Sequence, residues 1–284
     1  MMFHLLSLLI LSLCTSSYHF TSATILYDDG QVHTTTTNVN ESILLRTSST
    51  LILPSGDCTI RSPSGYSAIQ LQMSSTLNAT GGDIMGGDAS SDHPIPGAGV
   101  IVGSASTAIF YEGVTVRGGN NGATDTSGNL IYDEYYNFDY QNRGGDALVS
   151  QYFGSNITIH GGKFIGGSGS KMDGYSLHCH GEAQINVHGG SFYGSWKVND
   201  RGSIVVTGCV NRIGSRLVGR LQSGQTLDVQ LVEENGGKVV IENREKCNTY
   251  KKRDTISSAS HTGTKKMTRR ICLLFGIIIC YLRF

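Results

Sequence analysis

Residues 155–195 read SNITIHGGKFIGGSGSKMDGYSLHCHGEAQINVHGGSFYGS. Within this stretch, 155–167 (SNITIHGGKFIGG) and 183–195 (AQINVHGGSFYGS) superpose without a gap: an alternating strand, a glycine pair, a short apolar element and another glycine. The same frame recurs upstream in 75–87 (STLNATGGDIMGG) and 106–119 (STAIFYEGVTVRGG). The alternation has the period of two that belongs to strands, not the 3.6 of helices, and self-similarity at this scale marks a stack of repeats.

Eight residues before each strand lies another apolar strand start. These are Ile43, Ile69, Ile101, Val149, Leu177, Trp196 and Leu231, with partners Leu51, Leu77, Ile109, Ile157, Ile185, Ile204 and Val239. The step inside each repeat is constant, while the intervals between repeats run 26, 32, 48, 28, 19 and 35 residues. A solenoid permits this, because the stacked part must match its neighbours while excursions vary outward. A propeller blade needs about 40 residues, which the shortest interval rules out. The expected fold is therefore all-β, a right-handed parallel β-helix of about seven coils with three short strands per coil, over residues 40–247. The second strand would point inward with Leu77/Ala79, Ile109/Tyr111, Ile157/Ile159, Ile185/Val187 and Ile204/Val206. Gly81, Gly113, Gly161, Gly189 and Gly208 would share one sharp turn of positive φ. Ile84, Val116, Phe164 and Phe192 would align in a third strand.

This pattern resembles the pectin-lyase-like superfamily of parallel β-helices over residues 40–245. The resemblance implies an alternative function, a polysaccharide lyase or glycoside hydrolase, with Lys197, Arg201, His178 and His180 as candidate catalytic groups. The family's catalytic signatures are missing: His180-Gly181 is only a fragment of a Gly-His-Gly, and no Asp-Asp pair falls on the face.

Composition narrows the function. The chain has 284 residues, 37 of them glycine and 4 proline, with no Gly-X-Y period, so collagen is excluded. The formal charge of zero hides an asymmetry, since 8 of the 22 Lys and Arg follow Tyr250 beside one acid, Asp254. Residues 1–250 carry about −7, which argues against nucleic acid as a partner.

The termini point to export. An apolar run from Leu5 to Cys14, then Thr21-Ser22-Ala23, reads as a signal peptide over 1–23. Residues 24–39 would cap the solenoid. Residues 248–270 form a polar basic linker, and 271–284 an apolar tail too short to span a bilayer as a helix. That tail fits a GPI signal with Ser258 as a lipid attachment candidate, or a short membrane anchor. Either would place the chain on the extracellular face of the plasma membrane or cell wall. Sequons at Asn40, Asn78 and Asn156 suit a glycoprotein. Of the cysteines left after processing, Cys209 and Cys247 fall on adjacent coils and are expected to pair. Cys58 and Cys179 lie too far apart to pair, and Cys179 points inward.

Candidate sites follow from the register. Tyr132, Asp133, Glu134, Tyr135, Tyr136 and Asp139 lie in the longest excursion, which leads onto the face carrying Tyr152, His178, His180, Lys197 and Asn199. Aromatic planes with carboxylates suit a sugar, so a polysaccharide or cell-surface glycan is the expected partner, with simple packing of the loop as the alternative. On the second strand, His160, His188 and Glu112 would share a column able to chelate a metal, or form a solvated polar ladder. No cofactor is expected, with calcium or a transition metal the open exceptions. The leading expectation is an extracellular structural, adhesive or glycan-binding protein.

Overall fold

The computed structural model describes residues 24–122, 143–243 and Cys247. The described residues are all-β, with a 17-stranded sheet and a 5-stranded sheet. The first tier holds β1 (Thr24–Tyr27) and β2 (Val32–Thr34). Two triplets follow: β3 (Ser42–Leu45), β4 (Thr50–Leu53) and β5 (Thr59–Arg61), then β6 (Ile69–Leu71), β7 (Thr76–Ala79) and β8 (Gly82–Met85). The third triplet is β9 (Val100–Val102), β10 (Thr107–Phe110) and β11 (Val114–Arg117). The fourth is β12 (Leu148–Ser150), β13 (Asn156–Ile159) and β14 (Lys163–Ile165), the fifth β15 (Leu177–Cys179), β16 (Gln184–Val187) and β17 (Ser191–Tyr193). The last described strands are β18 (Trp196–Val198), β19 (Ser203–Ile213), β20 (Arg216–Leu221), β21 (Thr226–Glu233) and β22 (Lys238–Asn243).

Each strand pairs in parallel with its counterpart one triplet on. The first ladder runs β1, β3, β6, β9, β12, β15, β18 and β21. The second runs β2, β4, β7, β10, β13, β16, β19 and β22. The third holds β5, β8, β11, β14 and β17. The stacking thus begins at Thr24, one tier before the seven read from the sequence. In its last tiers an antiparallel excursion, β19 to β20 to β21, stands where a third strand is expected.

The inward columns meet in one apolar core. Ile43, Ile69, Val100, Leu148, Leu177 and Trp196 line it from the first ladder, and Leu51, Leu77, Ala108, Ile157, Ile185 and Ile204 from the second. Each large aliphatic side chain among them contributes about 1.5–3 kcal/mol by leaving water. Ile60, Ile84, Val116 and Phe164 close it from the third, in the register expected for Ile84, Val116, Phe164 and Phe192. Phe110 meets Phe164 edge-on at 5.4 Å, and Phe192 does the same to Trp196 at 4.9 Å.

Two expectations about register are corrected. The inward pair of β10 is Ala108/Phe110, not Ile109/Tyr111, and the first-ladder positions are Val100 and Leu148, not Ile101 and Val149. Each error has one extra turn residue as its cause. The turn after β10 takes six residues from Phe110 to Val116 where Ala79 to Ile84 takes five, and the turn at 151–155 is likewise one residue longer than its counterparts. Of the five glycines expected at positive φ, only Gly113 has it; in three other tiers the next glycine does, Gly82, Gly162 and Gly190. Gly208 lies within β19.

The turns between first and second ladders repeat an unusual backbone. Thr47/Ser48, Met73/Ser74, Ser104/Ala105 and Asp200/Arg201 all have positive φ at successive non-glycine residues. A serine close behind stabilises one of these turns and the turn at 151–155: Ser75 Oγ donates to Gln72 O at 2.6 Å, and Ser155 Oγ to Gln151 O at 3.0 Å. Both serines are buried, so the bonds replace water that cannot reach them.

The returns from the third ladder are pinched by glycine. Gly97 N–H donates to Gly87 O, Gly119 to Gly97, Gly145 to Gly119, Gly167 to Gly145, and Gly174 to Gly167, at 2.7–2.9 Å. The roots of successive excursions therefore interleave. A Cβ on Gly145 would fall 2.2 Å from Gly97 O, so no side chain fits there.

Cys209 and Cys247 form a disulfide, tying β19 to the chain beyond β22. Cys58 and Cys179 are free and buried. Burial pushes the Cys58 thiol up, and the Cys179 thiol up to about 12.

Candidate functional site

The first ladder places His178 and Lys197 side by side on its outward face, as direct register partners of β15 and β18. Their column runs Leu44, Gln70, Ile101 and Val149 before His178.

Beside His178 sits a carboxylate that the sequence reading passed over. Asp146 follows the Gly144-Gly145 root, which fixes the backbone just before it. Its Oδ1 accepts the Tyr175 N–H at 2.8 Å and pairs with the Arg143 guanidinium, and its Oδ2 meets His178 Nδ1 at 2.9 Å. The guanidinium also lies 3.8 Å over the Tyr175 ring. Burial alone would raise the Asp146 carboxyl; the His178 bond, the Arg143 charge and the Tyr175 N–H outweigh it and hold it below the ordinary carboxylate value.

The network continues through His178. Asn199 Nδ2 donates to Asp200 Oδ2 at 3.1 Å, which turns its Oδ1 to His178 Nε2 at 3.3 Å. Asn235 Nδ2 donates to the other Asp200 oxygen at 3.2 Å. Lys197 Nζ lies 3.0 Å from Glu234 Oε2. Burial works against the Lys197 charge, but Glu234 and Tyr175 prevail and raise its pKa, so it is an ammonium and not a base. Arg201 is 78% exposed and paired with Glu182 at 2.6 Å.

His180 differs from its neighbours. Its ring centroid lies 5.2 Å from that of His178 and 6.3 Å from that of Tyr152. Burial first, then the His178 and Lys197 charges, lower its pKa, against the raising effect of Asp200 and Asp146. Tyr152 and Phe153 occupy the longer turn at 151–155 and are 57% and 77% exposed. The residue added to that turn carries these aromatics out of the ladder beside His180.

The structure thus gathers His178, His180, Lys197, Asn199 and Tyr152 on one face. Arg201 stands at its edge. Tyr132, Asp133, Glu134, Tyr135, Tyr136 and Asp139 lie outside the described residues, as do Ser258 and the tail. The sequence reading missed Arg143, Asp146, Tyr175 and Glu234. One signal was present: Arg143-Gly144-Gly145-Asp146 repeats Arg117-Gly118-Gly119-Asn120, and the two are the opposite roots of one excursion, where Gly145 N–H donates to Gly119 O.

On the second ladder, His160 and His188 stack at 5.4 Å and 16°. Glu112 does not join them, because the longer turn gives its place to Tyr111, which stacks on His160 at 5.2 Å. Among the described residues no three His, Cys, Asp or Glu gather as a metal site. Asn40 and Asn156 are exposed, whereas Asn78 is half-buried with its Oδ1 shielded and unpartnered. Among the described residues no helix is long and apolar enough to cross a membrane.

Comparison with protein families, with curated proteins and with solved structures returns no match.

Proposed function

We propose that this chain is an exported right-handed parallel β-helix, similar to the pectin-lyase-like superfamily, whose first-ladder face binds a carbohydrate without cleaving it. Three parallel ladders visited in turn support the winding, and right-handed crossovers are the rule for parallel strands. The observation that carries the function is the juxtaposition of the Tyr152–Phe153 turn with a network of fixed donors and acceptors around His178. Exposed aromatic faces stack on the apolar faces of sugar rings, and oriented polar groups bond their hydroxyls. Two catalytic candidates, Lys197 and Arg201, are each held by an acid, which suits recognition better than proton transfer. The signal peptide and the apolar tail would deliver this face to the cell surface, and release by phosphoinositide-specific phospholipase C tests the GPI form of that attachment.

The experiment is incubation of the purified chain with a panel of neutral and acidic polysaccharides, scoring retention and cleavage together. Retention that falls at least tenfold in the Tyr152→Ala, Phe153→Ala double variant supports the reading. Absence of retention on every member of the panel overturns it.

A second reading, a polysaccharide lyase or hydrolase, is favoured by the Asp146–His178 pair, in which a carboxylate orients an imidazole beside His180, whose pKa burial lowers. Release of unsaturated or reducing ends, abolished by His180→Ala or Lys197→Ala, would replace the first reading with this one.

A further inference from the structure

We propose that His160 and His188 form a site for a late divalent transition metal, zinc, nickel or copper, on the second-ladder face. Ile159 of β13 and Val187 of β16 are direct register partners, so the histidines that follow them stand across one rung. Their rings are nearly parallel, 5.4 Å apart and 16° from coplanar orientation. A metal about 2.0–2.1 Å from each imidazole nitrogen needs the two nitrogens closer than that, and opposed rotations of two side chains on the outer face bring them together.

A separate observation points to the same ligand. His188 Nδ1 and Thr207 Oγ1 are both shielded from solvent and lack hydrogen-bond partners. Val187 pairs with Val206, so these two orphaned atoms belong to neighbouring rungs. A metal on His188 Nε2 places the ring proton on Nδ1, and Thr207, in register with His188 one rung on, is placed to accept it once the ring has turned toward the metal. Ligating histidines are held in this way, by a partner for the other ring nitrogen.

Imidazole nitrogen selects these metals over calcium or magnesium. Water would fill the remaining positions, because Glu112 lies off the column. The other histidine pair, His178 and His180, is closed to this chemistry, since both nitrogens of His178 already face Asp146 and Asn199.

The test is calorimetric titration of zinc chloride alone into the full chain after washing with chelator. One zinc per chain is expected. His160→Ala and His188→Ala should each weaken it at least tenfold, and Thr207→Val, which keeps the side-chain shape, about tenfold. The His178→Ala, His180→Ala double variant should bind as the parent does. His160 is exposed, so its replacement leaves the fold intact, and circular dichroism checks each variant. Absence of stoichiometric zinc binding overturns the proposal, as does binding that survives both single changes or disappears with His178 and His180.

Discussion

Asp146→Asn removes one negative charge from the centre of the first-ladder network while keeping its shape. The amide of the variant still accepts the Tyr175 N–H, but Arg143 loses its counter-charge at a site only 11% exposed, and His178 Nδ1 loses its carboxylate partner. Breaking one partner out of such a pair costs about 3–5 kcal/mol. The retained hydrogen bond places the expected loss at the lower end, about 3 kcal/mol. With a urea m-value of about 3 kcal/mol/M for a chain of this size, the unfolding midpoint falls by about 1 M at pH 7. The sign of the pH effect follows from the lowered carboxyl. Asp146 contributes in full above the unfolded-state value of about 3.9 and loses its contribution as the pH falls through its lower native value. The variant has no such contribution to lose, so the gap between it and the parent closes in acid. Urea titrations at pH 7, 5 and 3, followed by circular dichroism, measure it. A midpoint shift under about 0.3 M at pH 7, or a gap that stays constant into acid, would refute the reasoning.

Other outcomes follow from the same structure. Gly145→Ala should destabilise the fold by more than about 2 kcal/mol, because its Cβ meets Gly97 O at 2.2 Å, whereas Gly122→Ala, with nothing within 4 Å among the described residues, should be nearly neutral; thermal melts compare the two. The Cys179 thiol, pushed up to about 12 and buried, should resist iodoacetamide at pH 8 in the native protein and react once urea unfolds it. Reducing the Cys209–Cys247 disulfide, which closes a separation of 38 residues, removes a constraint worth about 3–4 kcal/mol on loop entropy; faster amide exchange in Lys238–Asn243 should report it.

The ladders were legible because strand periodicity and an eight-residue step survive long excursions. Where the step changed by one, the pattern chose wrongly. Ile109 reads as a better core residue than Ala108, yet a one-residue shift exchanges the two faces of a strand, and the larger Phe110 beside Ala108 fills the space. The hairpin of β19 and β20 was hidden for a related reason. Ser203–Val210 alternates without interruption, and Gly208 imitates the turn glycines of the earlier repeats although it continues a strand. Within the site, His178 and Lys197 could be brought together from register alone. Asp146 could not, because it enters from the return of an excursion, and no periodicity specifies how a return lies against the ladder.

The division of labour on the proposed carbohydrate face follows from burial. Asp146, His178 and Arg143 can remain at about a tenth exposed only because each satisfies another, so they offer a ligand fixed directions and little free surface. Tyr152 and Phe153 offer the reverse, broad exposed rings with few polar directions. Stacking energy should then come from the aromatic turn and discrimination between sugars from the network. Tyr152→Ala with Phe153→Ala should weaken every bound polysaccharide by a similar factor, whereas Asp146→Asn should alter the order of preference, with matched fold-changes checked on the same panel. Uniform weakening by both variants would mean that the network supports the turn without touching the ligand, and the recognition surface would then be confined to residues 151–155.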